Sequence, residues 1–166
     1  LEAVSLLDPY ARDFNEYRAK ALAAQRFLEK ALYDHGADRP AGTLHLVGHS
    51  HLDLLFVWPY RESVRKNLRT NLITSHLLAN DGGYIFAQSQ AKLFADMKRY
   101  YPKEYEHVKQ LVSDGRFEPV GDMWVEPDLN TPCGEALVRQ ILYAREFFGA
   151  EFETRSTVCW VPDVFG

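Results

Sequence analysis

Cysteine is almost missing from this chain of 166 residues: Cys133 and Cys159 are the only two. One pair cannot build a disulfide framework, and with no Cys-x-x-Cys or Cys/His cluster the sequence lacks the usual structural zinc motifs. Two reduced thiols in packing roles fit a cytoplasmic protein. Long apolar runs are missing too, since none approaches the roughly 18 residues that a membrane span needs. The N-terminus shows no basic-then-apolar signal pattern, although a signal cleaved ahead of Leu1 would leave no trace in this numbering. Basic clusters are the third absence. Lys and Arg number 19 against 23 Asp and Glu, a net charge of −4 spread along the chain, and a nucleic-acid partner would call for clustered cations.

What is present suits one soluble globular domain. The hydrophobic share is 46% and the charged share 25%, and the length fills one core rather than two. Aromatics make up 13%, which serves a sugar-binding cleft or a packed core equally well.

Periodicity supplies the architecture. From about Pro9 to Tyr33, apolar residues at Phe14, Tyr17, Ala21, Ala24, Leu28 and Ala31 recur at helical steps, with Gly36 placed to end the helix and a polar link over residues 38–42. Residues 44–47 read as a short buried strand. A helix is expected over 61–78 with Val64, Leu68, Leu72 and Ser75 on one face, then an Asn80-Asp81-Gly82-Gly83 turn and a second strand over 84–87. Helical segments run through Leu93 and Tyr105 to Leu111, followed by a third strand over 116–120. A helix opening at Thr131-Pro132 presents Leu137, Ile141, Leu142 and Phe148, and a fourth strand covers 157–161. A helix followed by alternating strands and helices implies an α/β fold with a parallel sheet. Chemistry in such sheets gathers at the carboxyl ends of strands. There the sequence places His51 and Asp53, then Gln88 and Gln90, then Trp124 and Glu126, and finally Asp163.

Each of these residue types admits more than one reading. His51-x-Asp53 offers an imidazole nitrogen and a carboxylate two residues apart, which in extended chain can reach one divalent ion. The same pair also reads as a loop histidine beside a helix-capping aspartate. His49 and His51 form the His-x-His pair of a metal-dependent amidohydrolase. Asp163, after Pro162 at the end of an apolar run, suits a nucleophile or metal ligand, or the cap of a following helix. Trp124, Glu126 and Asp128 offer a platform and two carboxylates, or a turn-rich surface loop.

Read together, the blocks carry a resemblance. Gly48-His49-Ser50-His51-Leu52-Asp53 through Trp58-Pro59 resembles the opening motif of glycoside hydrolase family 38, the class II α-mannosidases. Phe86-Ala87-Gln88-Ser89-Gln90 resembles the second-strand motif. Gly115 to Gly121, with Met123-Trp124-Val125-Glu126-Pro127-Asp128, resembles the third. Gly134 to Gln140 resembles the next helix, and Trp160-Val161-Pro162-Asp163-Val164-Phe165-Gly166 the nucleophile motif. Five blocks in the right order form a specific signature, closest to the cytosolic and bacterial branch.

The resemblance implies a seven-stranded parallel α/β barrel of which the first four strands are present. Residues 1–43 would be a helical lead-in and linker, and 44–166 the first part of the catalytic domain. It implies that His51, Asp53 and Asp163 bind Zn2+ or another divalent first-row metal, with Asp163 also the nucleophile. Phe56, Phe165 and Trp124 would contact substrate. The implied reaction is retaining hydrolysis of terminal α-mannosides through a covalent glycosyl-enzyme, the metal meeting the cis 2- and 3-hydroxyls. A further histidine ligand and the acid/base would lie beyond Gly166, so this stretch alone would be inactive. Expected partners are a mannoside or oligosaccharide, the rest of the same polypeptide and, if the protein is an oligomer, a second copy. Neither nucleic acid nor membrane is expected. Three positions depart from the family pattern: Phe56 replaces a usual tryptophan, Asp122 a common glycine and Cys133 a common serine. The Phe56 departure leaves a sugar-binding pseudoenzyme as a further reading beside the amidohydrolase.

Overall fold

A computed structural model of the chain describes residues 13–33 and 43–165. The expected helix start near Pro9, the Gly36 cap, the 38–42 link and Gly166 lie outside these residues. Contacts divide the chain into two compact units, Leu1–His45 and Leu46–Gly166.

The first unit is built on helix α1, Phe14–Tyr33. Asp13 starts it by accepting a hydrogen bond from Glu16 N–H through Oδ1 at 2.9 Å, which satisfies one of the amide donors a helix start leaves free. Pairs one turn apart, Lys20 with Glu16 at 3.0 Å and Gln25 with Glu29 at 2.9 Å, line its surface. Of the expected stripe, Ala24 is buried while Phe14, Tyr17 and Leu28 are exposed.

The second unit contains strand β1 (Gly48–His49), helix α2 (Tyr60–Asn80), strand β2 (Phe86–Gln88), helices α3 (Ala91–Tyr100) and α4 (Pro102–Ser113), strand β3 (Phe117–Pro119) and helix α5 (Gly134–Phe152). The three strands form one sheet in the order β1-β2-β3, and both pairings are parallel. Gly48 lies opposite Phe86, His49 opposite Ala87, and Gln88 opposite Pro119. This is an α/β arrangement in which each helical crossover returns the chain to the next parallel strand. Gly48 has a steric reason to be glycine: a Cβ there would sit 2.1 Å from the Tyr84 hydroxyl oxygen.

The core lies between the sheet and helices α3, α4 and α5. Phe94 is its hub, meeting Phe117 edge-on at 5.9 Å and Phe148 at 5.4 Å, while Phe86 meets Phe117 at 5.2 Å. Such pairs add about 0.5–1.5 kcal/mol each beyond their buried area. Ala91, Met97, Tyr105, Val108, Leu78 and Ala144 complete the cluster. Pro102 sits at the start of α4, where its missing N–H costs nothing.

The structure corrects several expectations. The strands are shorter than the apolar runs that announce them, and β1 begins at Gly48 rather than at residue 44. Helix α2 buries Ser63, Asn67, Asn71, Thr74 and Leu78 rather than the Val64, Leu68, Leu72 and Ser75 face, and Leu72 and Ile73 are exposed. Hydrogen bonding is the reason. Asn67 donates to Leu93 O at 2.8 Å, Asn71 donates to Asn67 O at 2.8 Å, and Ser63 Oγ donates to Leu54 O at 2.5 Å. Buried amides and hydroxyls are tolerated once paired. Helix α5 likewise buries Ala144 and Phe148 and leaves Ile141 and Leu142 exposed. Cys133 and Cys159 are free and exposed, so neither packs in a core.

The expected fourth strand, residues 157–161, is not a strand. Side chains rather than a ladder hold it. Ser156 N–H donates to both carboxylate oxygens of Asp122 at 3.1 Å, Arg145 Nε donates to Asp122 Oδ2 at 3.1 Å, and Gly121 N–H donates to Ser156 Oγ at 3.1 Å. Gly121 has φ +90, and a Cβ on it would lie 2.7 Å from Trp160 Cβ. Asp122, with φ 43, holds a left-handed conformation that favours glycine. Its carboxylate contacts offset that strain.

Candidate metal centre

His51 follows β1 by two residues, and the side chains of the neighbouring strand fix its backbone from both sides. Gln88 Nε2 donates to Ser50 O at 3.3 Å and Gln90 Nε2 donates to Leu52 O at 2.9 Å. Gln90 itself adopts φ 67, a conformation that non-glycine residues rarely take. These two glutamines thus hold the loop.

Around the His51 ring stand three carboxylates. Nε2 is 3.0 Å from Asp53 Oδ1 and 3.6 Å from Asp163 Oδ2. Nδ1, on the other edge of the ring, faces Glu126 Oε2. One ligand atom each from His51, Asp53 and Asp163 lies within 4.8 Å of the others. The Asp163 and Asp53 side chains are 55% and 41% exposed, whereas that of Glu126 is 3% exposed. The open side of the group is therefore the side of Asp53 and Asp163. Burial lowers the pKa of His51, but hydrogen bonds to the carboxylates of Asp53 and Glu126 and the charges of both outweigh it, so the net shift is upward.

The donor set fits a divalent ion. Tetrahedral ligands at about 2.1 Å from zinc stand about 3.4 Å apart, and the 3.0 and 3.6 Å separations bracket that value. One imidazole and two carboxylates suit zinc and its first-row neighbours. His49 is not part of the group. Its Nε2 accepts a hydrogen bond from Trp160 Nε1 at 3.1 Å and lies 3.3 Å from Ser89 Oγ, with the indole ring 4.8 Å away. Burial first, and the charge of His51 second, hold its pKa below the ordinary value, so it stays neutral near pH 7.

Phe56 and Phe165 are 73% and 67% exposed, Phe56 lying edge-on to Trp58 at 5.8 Å. Trp124 behaves differently. Its ring packs edge-on against Phe147 at 6.0 Å and lines a hollow with Tyr143, Glu146 and Ala150 of α5. Asp128 caps a local turn by accepting from Asn130 N–H at 2.7 Å. The links that sequence reading missed are Glu126 to His51, Ser89 to Glu126 and Trp160 to His49. The parallel register carried one usable signal: with His49 opposite Ala87, two residues further on His51 comes level with Ser89.

The family model described as the glycosyl hydrolases family 38 N-terminal domain matches residues 41–166, well over half of the chain. The chain belongs to glycosyl hydrolase family 38. Among relatives, Alpha-mannosidase 2C1 of Homo sapiens is 39% identical over 148 residues, covering 89% of this chain and 14% of that protein. Alpha-mannosidase 2C1 of Mus musculus is 38% identical over 165 residues, covering 99% of this chain and 15% of that protein. Alpha-mannosidase of Saccharomyces cerevisiae is 32% identical over 142 residues, covering 84% of this chain and 13% of that protein. The chain thus spans about a seventh of the length of these curated relatives. Asp122 holds a left-handed backbone conformation, with its carboxylate hydrogen-bonded to Ser156 N–H. Among its described residues no helix is long and apolar enough to cross a membrane.

Proposed function

We propose that this chain forms the part of a retaining α-mannosidase that binds a divalent metal and carries the nucleophile. One observation supports the reading above all: ligand atoms of His51, Asp53 and Asp163 cluster on the open side of one site, inside a stretch that matches family 38. Once bound by these residues, a divalent ion such as Zn2+ would supply a Lewis acid for hydroxyls of the sugar.

The chain's own residues define the rest. Asp163 has one oxygen toward His51 Nε2, and its half-exposed side chain leaves the other for the substrate. That oxygen forms a bond to the anomeric carbon as the glycosidic bond breaks, and the leaving oxygen takes a proton from a carboxylic acid elsewhere in a longer polypeptide. Water then cleaves the glycosyl ester with overall retention. Phe56 and Phe165 offer exposed apolar faces to a sugar ring, and we assign Trp124 to packing. The three parallel strands belong, in this reading, to a larger α/β barrel completed by the rest of the polypeptide. A cytoplasmic setting is proposed with it, supported by two free cysteines.

The amidohydrolase alternative needs His49 and His51 to share an ion, and the Trp160 hydrogen bond already occupies the Nε2 of His49. The pseudoenzyme alternative loses weight because Phe56 still presents its ring to solvent. The test is hydrolysis of an aryl α-mannoside by the complete polypeptide, with and without a chelator. Turnover with retention should vanish in D163A, and should vanish on chelation and return with zinc. Turnover unchanged in D163A would overturn the assignment.

A further inference from the structure

Glu126 lies outside the proposed ligand set, yet its side chain is the most buried charged group at the site, 3% exposed. An ionised carboxylate in such a place is costly unless both oxygens are matched. Oε1 accepts from Ser89 Oγ, and Oε2 faces Nδ1 of His51. The Glu126 backbone N–H points to Gln90 Oε1 at 3.4 Å. His51 Nδ1 and Glu126 Oε2 are both shielded from solvent and have no conventional hydrogen-bond partner beyond this mutual contact.

The arrangement has a direction. Gln88, the last residue of β2, and the two residues after it divide the work: Gln88 and Gln90 grip the carbonyls on either side of His51, and Ser89 between them holds Glu126. The backbone of His51 is thereby fixed from one strand and its ring from the loop after the next. Nε2 is left facing Asp53 and Asp163.

We infer that Glu126 is the positioning residue of the metal centre, accepting Nδ1–H of His51 and thereby fixing the ring and the tautomer whose Nε2 lone pair faces the ion. The inference rests on the metal-binding reading above. A carboxylate behind a ligating imidazole orients it and makes it a stronger donor, and losing such a partner typically weakens metal binding by about 10- to 100-fold.

The test uses the complete polypeptide stripped of metal and titrated with zinc in competition with a chromogenic chelator. E126Q keeps the size and an acceptor oxygen but loses the charge, and should bind zinc about 10-fold more weakly; E126A should approach about 100-fold. With Co2+ in place of zinc, the visible absorption bands of E126Q should shift, since they report the ring's orientation and donor strength; a residue that merely supports the fold would leave them alone. S89A, which removes the far anchor of Glu126 together with the 3.3 Å contact of Ser89 Oγ with His49 Nε2, should weaken zinc about three- to tenfold, the equivalent of one hydrogen bond, and it serves if E126Q does not fold. Wild-type binding together with unchanged zinc affinity and Co2+ bands in E126Q or S89A would overturn the inference and leave the metal site standing. Failure of the wild type to bind either ion would remove the metal reading and this inference with it.

Discussion

Replacing Asp122 by alanine should loosen the segment that leads to Asp163, and the structure sets the size of the effect. The buried carboxylate of Asp122 accepts from Ser156 N–H at 3.1 Å and from Arg145 Nε at 3.1 Å. A backbone hydrogen bond to a charged acceptor contributes about 1.5–3 kcal/mol. The Arg145 side chain is 51% exposed, so its pairing adds less than about 1 kcal/mol after screening. D122A loses both contacts and keeps the left-handed backbone at φ 43, for a total of about 1.5–4 kcal/mol. D122G loses the same contacts but sheds the strain, so it should recover about 1 kcal/mol. Amide hydrogen exchange across residues 154–160 reads this directly in the complete polypeptide. Two kcal/mol corresponds to about 30-fold faster exchange in D122A, and one recovered kcal/mol to about fivefold slower exchange in D122G than in D122A. Exchange in D122A within about twofold of wild type, the range of an ordinary surface change, would show that the carboxylate does not hold this segment.

Gly121 gives a steric counterpart. G121A puts a Cβ 2.7 Å from Trp160 Cβ at φ +90, so it should lose about 2–4 kcal/mol and lower mannoside turnover by displacing Trp160 and Asp163; an unaltered denaturation midpoint would contradict this. Glu151 supplies a pH dependence. The hydrogen bond from Lys98 lowers its pKa, against burial and with help from the Tyr105 hydroxyl and the charges of Lys98 and Lys109. A depressed carboxylate stabilises the fold above its unfolded-state pKa and loses that contribution as pH falls through the folded value. Urea midpoints should therefore fall more steeply for wild type than for E151Q below about pH 4.5, and parallel curves would refute the pairing.

The alternation of strands and helices was legible because turn residues such as Gly82, Gly83 and Gly115 interrupt apolar runs of the right length. Helix faces were not. Hydrophobicity points to Leu72 on α2, but Asn67 and Asn71 are buried because their amides find partners there, and composition cannot register a satisfied amide. The fourth strand failed for a related reason: an apolar run announces burial, while Asp122 and Gly121 hold residues 156–160 through a side chain and a close approach. At the site, the carboxyl-end rule placed His51, Asp53, Glu126 and Asp163 in one neighbourhood. It could not tell which carboxylate faces which edge of the His51 ring, because that depends on register across β1, β2 and β3.

The central claim concerns Asp163, and covalent trapping tests it most directly. A fluorinated mannosyl fluoride slows formation and hydrolysis of the glycosyl-enzyme, while its activated leaving group lets the intermediate accumulate. Incubated with the complete polypeptide and followed by peptide mass mapping, it should add one fluoromannosyl group to the peptide containing Asp163, and the label should be absent in D163A. A label on any other carboxylate, Glu126 included, would contradict the account.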